Sequence, residues 1–477
     1  MCCSPARWRW KRTPLPAPDF LPGETEVERF ALRCPNPLHP LLPMSLRRAL
    51  LPLVGAVVLG TGMLCAQSEP DYEHAPVSYS ATAPRDALTR LQGRLASGAV
   101  TLSGGELKML QTLLTELGVS TDSQMLVFSR TSFQRSRLRP DQPRALYFSD
   151  AVYVGWVPGG LVEVTAIDPQ LGPVFYTLDL PGARHGAPKI EREADCLRCH
   201  GGAFVREIPG VFARSLFPDV NGDPLLRQGT LLVDDETPFE QRWGGWYVTG
   251  YHGPLAHRGN ALASERADQL VFEPAATRPD ELSAVFETSA YLKPTSDVVA
   301  LLVFEHQMAV QNSLTHAGFA ARRMTAYQHG LQQTFKEPES DEPAYDSVKS
   351  VFASAAQDVV DRLLFRNAAP LPDGVAGHEA FRQTFAQGAP RSRSGHALKD
   401  LQLAGRLFAQ RCSYLIYSES FRALPETLKG RILDRLDAAL RSRDPKDRYA
   451  YLPADEKQRI RDILLETHPD AQARWKN

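Results

Sequence analysis

The chain has 477 residues, with 54 Lys and Arg against 55 Asp and Glu for a net charge of −1, a balance that gives no reason to expect a nucleic-acid partner. Hydrophobic residues at 43% and charged ones at 23% fit a folded globular protein and exclude a disordered or fibrous chain. Cysteine use is uneven: Cys2, Cys3, Cys34 and Cys65 precede residue 67, and only Cys196, Cys199 and Cys412 follow it.

Residues 1–43 hold Pro, Trp and Arg without apolar periodicity and read as a non-native upstream extension, with a disordered extension as the alternative. Met44 is the expected start of a secretory signal peptide over 44–66. Ser45-Leu46-Arg47-Arg48 is its basic segment, Ala49 to Leu64 its apolar segment, and cleavage is expected after Ala66. The apolar run of 16 residues is shorter than the ~20 that span a bilayer. Gly62-Met63-Leu64 lacks the small residues expected before a lipidated Cys65. The remaining 411 residues, Gln67 to Asn477, carry 46 basic against 51 acidic side chains, and no further run approaches membrane-spanning length.

Residues 67–120 are expected to be helical. Arg85 to Leu95 and Gly105 to Leu117 place apolar residues three and four apart, with Ser103 as a cap. Over 121–295 the pattern changes to short β-type runs at 125–128, 145–148, 152–156, 161–164, 174–177, 211–216, 230–233 and 245–249, separated by Pro, Gly and Asp. Asp219-Val220-Asn221-Gly222-Asp223 resembles a calcium loop but has Pro224 at the glycine position, so a hairpin turn is expected. The 296–477 region is expected to be helical, with segments from Ser296 to Phe335, Tyr345 to Leu364, 397–420, 424–442 and 454–466. The linkers fall at 337–343 and 369–377. The fold class is therefore α+β.

Cys196-Leu197-Arg198-Cys199-His200 carries the chemistry. Cys-x-x-Cys-His is the spacing at which two thiols grip one edge of a haem and the next imidazole reaches the iron as proximal ligand. A thioredoxin-like redox pair and an inert coincidence are the alternatives, and structural zinc would need a second ligand pair that the sequence lacks. One covalent haem c is thus expected in the β-rich 121–295 module, followed by the helical C-terminal region. A small all-α cytochrome c fold is not expected, because 129 residues, Gln67 to Asp195, precede the motif and the first downstream methionine is Met308, with Met324 next. His252, in a glycine-flanked turn, and His306, on the core stripe of the long helix, are candidates for the distal position. An open sixth site is the other possibility. Arg137 and Arg139, from an arginine-rich stretch that also includes Arg130, Arg135 and Arg144, are candidate contacts for the haem propionates. Trp243, Trp246 and Tyr247 are either haem walls or plain core.

Between Phe128 and Pro469 the chain resembles a poorly characterised family of exported bacterial proteins with a single c-type haem motif. The carriers are Pro143-Arg144-Ala145-Leu146-Tyr147-Phe148, Asp168-Pro169-Gln170-Leu171-Gly172, the haem motif, Arg242-Trp243-Gly244-Gly245-Trp246-Tyr247-Val248-Thr249-Gly250, Glu305-His306-Gln307 and Cys412-Ser413-Tyr414. The resemblance implies a cytochrome c-like protein that binds haem. Two functions follow as expectations. One is periplasmic electron transfer to a redox partner protein. The other is a haem enzyme or sensor whose open distal site takes peroxide, nitric oxide or another small molecule.

Overall fold

A computed structural model describes residues 70–180, 188–266, 269–274 and 280–476, all within one compact unit, Gln67–Asn477. The expected upstream extension and signal peptide lie outside the described residues. The fold is α+β, as the alternating and helical patterns require. The three segments expected at 67–120, 121–295 and 296–477 all fall within that unit.

Two helices open the described chain, α1 (Ala87–Ala96) and α2 (Glu106–Glu116). Asp86 caps α1 by accepting the Thr89 amide at 2.9 Å. Ser103 is not the cap of α2; Gly105 occupies that position without a side-chain bond. Glu106, the first residue of α2, instead accepts from Trp156 Nε1 at 2.8 Å. Six strands follow, β1 (Met125–Val127), β2 (Arg144–Phe148), β3 (Val152–Trp156), β4 (Val162–Asp168), β5 (Gly172–Leu178) and β6 (Ile190–Arg192). They pair in sequence order as an antiparallel meander.

Side chains alternate across a strand, so the sheet has two distinct faces. Tyr147, Val154, Val164, Val174 and Tyr176 point one way and are covered by Leu88 and Leu91 of α1 and Leu110, Leu113 and Leu114 of α2. Phe148, Tyr153 and Ile167 point the other way, into a core built on the long helix α4 (Val298–Phe335). Phe304 of α4 packs on Phe148 and Tyr153 at 5.6 and 5.7 Å. Each fully buried Leu, Val or Phe in these layers contributes about 1.5–3 kcal/mol. Between the sheet and α4 the chain forms the single turn α3 (Leu197–His200) and the strands β7 (Ala213–Leu216), β8 (Thr230–Val233), β9 (Tyr251–His252), β10 (Ala261–Arg266) and β11 (Gln269–Pro274). The expected turn at Asp219 to Asp223 sits within the β7–β8 hairpin, with the Asp219 amide on the Asp223 carbonyl at 2.9 Å.

Asp297 caps α4 by accepting the Ala300 amide at 2.8 Å. The C-terminal layer is completed by α5 (Asp346–Leu363), β12 (Val375–Gly377), α6 (Glu379–Ala386), α7 (Glu419–Arg422), α8 (Glu426–Arg441), α9 (Ala454–Thr467) and α10 (Pro469–Trp475). Two expected elements are absent. Residues 245–249 make only isolated bridges, because Trp243 and Gly245 take φ of +65° and +89° and bend the chain out of register. Most of 397–420 is turns and bridges rather than helix, since Leu403 and Gly405, at φ +57° and +69°, break any helical run.

Candidate haem-attachment site

β6 and a 3₁₀ turn, Ala194–Cys196, carry the chain into α3, so the whole Cys-x-x-Cys-His motif sits on one tight turn at the edge of the sheet. Cys196 is half-buried, Cys199 is exposed, and neither is in a disulfide. Gly201 ends the turn, and a Cβ there would collide with the Tyr72 hydroxyl that closes the N-terminal segment behind the motif.

His200 is the best-defined group of the site. Its Nδ1 lies 2.9 Å from the Gly210 carbonyl oxygen. A carbonyl only accepts, so Nδ1 carries the proton and the lone pair is on Nε2. Nε2 meets no hydrogen-bond partner among the described residues. The ring is held between Phe212, stacked at 4.5 Å, and Phe175 of β5 at 4.9 Å. Burial lowers the imidazole pKa to about 4, with Arg144 and Arg214 adding to the effect, so the ring stays neutral at ordinary pH. The loop is pinned to α4: Asn312 accepts the Val211 amide at 2.9 Å and donates to the Val211 carbonyl at 2.7 Å.

Burial and the carboxylates of Glu163 and Glu193 raise Cys196 to about 12. A redox Cys-x-x-Cys needs the opposite shift, because its attacking thiol must ionise. No group of three or more His, Cys, Asp or Glu side chains among the described residues is placed to hold a metal ion.

The other residues singled out from sequence are distributed unequally. Arg137 is exposed beside Gly160, and Arg139 pairs with Asp141 at 2.9 Å on an exposed turn. The cations whose charge reaches His200 are Arg144 and Arg214. Arg144 lies across Gly155 and pairs with Glu163. Arg214 lies over the Phe204 and Phe212 rings at 4.6 and 5.1 Å. Arg214 lies outside the arginine-rich stretch, and its only local signal in the sequence is its two-residue spacing from Phe212, which precedes β7.

His252 is buried in the β9–β12 pair, with its ring 4.9 Å from His257. No ring contact or hydrogen bond joins it to His200 among the described residues. His306 is engaged within the core. Its Nδ1 bonds Asp235 at 2.7 Å, its Nε2 bonds Ser413 Oγ at 2.9 Å, and its ring stacks on Phe365 at 3.9 Å. Both nitrogens are committed, which leaves neither for iron. Asp235, His306 and Ser413 follow the order of a hydrolytic triad, but Ser413 is fully buried and its hydroxyl also caps the Leu415 amide, so no substrate reaches it. Met308 lines a cavity of about 150 Å³ with Phe212 and Asn312, and His200 is not part of its lining. Trp243 donates to Glu305 at 2.7 Å and Tyr247 packs on Phe128, both as core, while Trp246 donates to the Arg214 carbonyl at 2.8 Å.

Comparison of the chain with protein-family models, curated proteins and solved structures finds no match. Among the described residues no helix is long and apolar enough to cross a membrane.

Proposed function

We propose that this protein is an exported mono-haem c-type cytochrome, with one haem c held by Cys196 and Cys199 and its iron bound by His200. The observation that carries the reading is the state of His200. Its Nδ1–H is fixed on a backbone carbonyl and its Nε2 lone pair is directed away, on the residue directly after two unpaired cysteines. A ligating His in a protein almost always donates its other ring nitrogen in this way, which fixes tautomer and orientation together. Haem c would supply the one-electron couple. The chain's own part is to hold the imidazole neutral, clamp it between Phe175 and Phe212, and keep the motif at the surface, where Cys199 and Phe204 are exposed. A site so near the surface suits electron exchange with a redox partner protein.

The engagement of both His306 nitrogens favours a second reading, in which the distal position is open to a small molecule. One set of measurements on the protein exported with haem-attachment machinery separates these. Haem stain should survive a denaturing gel and vanish in C196A/C199A; an unstained wild type overturns the assignment. A low-spin ferric form that ignores carbon monoxide after reduction supports the carrier, and H252A would then test the remaining histidine candidate. A high-spin form that takes up carbon monoxide supports the enzyme or sensor.

A further inference from the structure

Resting on the haem reading, we infer that Arg214 is the receptor for a carboxylate at the haem rim and that a haem propionate supplies it. Arg214 and His200 share one aromatic neighbour. Phe212 stacks on the imidazole at 4.5 Å and meets the guanidinium carbon at 5.1 Å, so one ring separates the cation from the ligand histidine. The Nε of Arg214 is buried and without a hydrogen-bond partner. No Asp or Glu among the described residues lies within salt-bridge reach of it.

Other arginines around the motif are already matched. Arg144 pairs with Glu163, Arg198 with Asp195, and Arg206 with Asp358, while Arg192 donates to the carbonyls of Tyr79 and Thr82. Arg144 has an unpartnered Nε too, but its charge is balanced by Glu163. A buried donor left unmade destabilises the fold, and a carboxylate accepting from a guanidinium removes that cost with one of the stronger hydrogen bonds proteins make. Two Phe faces hold the guanidinium plane in place, which suits a planar carboxylate. The haem brings that group covalently, at an effective concentration no free acid matches.

The test uses the stained holoprotein, R214Q and R214K in redox titrations across pH. A cation beside the haem holds a propionate ionised and disfavours the ferric charge. R214Q should keep its stain, yet its ferrous-to-ferric ratio at fixed potential should fall about tenfold, equivalent to about 59 mV for one electron. Its midpoint should also become pH-dependent, because the propionate is no longer held ionised; R214K should recover most of both. A stained R214Q with the midpoint and pH profile of wild type overturns the inference. Acetate added to wild type at constant ionic strength tests an outside acid: a midpoint response that R214Q loses assigns Arg214 to that acid and overturns the propionate. Should R214Q not fold, nitrogen-15 NMR of the ferrous wild type decides. A slowly exchanging Arg214 Nε–H that is absent from haem-free C196A/C199A supports the inference, and one that exchanges fast, or equally slowly in both proteins, overturns it. An unstained wild type fails the haem reading itself.

Discussion

His200 and His306 are each stacked on a phenylalanine, at 4.5 and 3.9 Å, yet their nitrogens are committed differently. His306 stands in the middle of a polar chain that crosses the core from Asp235 to Ser413, and beside it Glu305 accepts from Arg242 at 2.6 Å and from Trp243 at 2.7 Å. Burial raises Glu305 to about 7, against the pull of Arg242 and Trp243. Every polar atom there is matched within the protein, and such a network specifies packing. Around His200 only one nitrogen is matched, two thiols are free and a neighbouring guanidinium has an unpaired donor. Unspent bonding capacity, rather than residue type, separates the region that fits a cofactor from the region that holds the core together.

The largest effect is expected from breaking the matched region. H306A would leave Asp235 and Ser413 short of a partner and a cavity against Phe365, and should cost about 3–5 kcal/mol in denaturant unfolding. Its haem spectrum should stay that of wild type. A changed spin state in a folded H306A would show that the core chain and the haem site are not separate.

A smaller effect comes from pH. The unfolded chain takes up a proton at His200 near the ordinary value of 6.5, the folded chain only near about 4. The unfolded state therefore binds more protons between these values. Stability of the haem-free protein should be full above about pH 6.5, fall by about 1–3 kcal/mol as pH drops toward 4, and stop falling from this cause below it. H200F, which cannot protonate, should lose that part of the pH dependence. A slope between pH 6.5 and 4 that H200F leaves unchanged would mean His200 is not held neutral by burial.

What the sequence made legible follows from how local each signal is. The helices α4, α5, α8 and α9 fall within two residues of their expected bounds because a 3.6-residue apolar stripe is written into consecutive residues. The failure at 397–420 has the same origin: its Leu and Phe spacing imitates a stripe, and only the backbone at Leu403 and Gly405 reveals the bends. Cys196, Cys199 and His200 were visible because their chemistry is contiguous. Their supports were not. Phe175, Gly210 and Arg214 come from a sheet strand, a loop and a hairpin, and the partners of His306 are 71 and 107 residues away. The stripe on α4 correctly turned His306 inward but gave no sign that its nitrogens would be used there.

The smallest expected effect concerns the arginines chosen from sequence. Arg137 and Arg139 stand in a stretch dense in charge, which is a property of solvated turns as much as of anion sites. Arg139 and Asp141 are 54% and 69% exposed, so water screens the pair and its loss should move stability by less than about 0.5 kcal/mol. R137A/R139A should also leave the haem midpoint within error of wild type, whereas R214Q should not. Redox titration of the three holoproteins side by side checks this. A shift in R137A/R139A as large as that in R214Q would mean that charge near the haem acts through the general field of the surface, and the distinction between matched and unmatched groups would lose its force at this site.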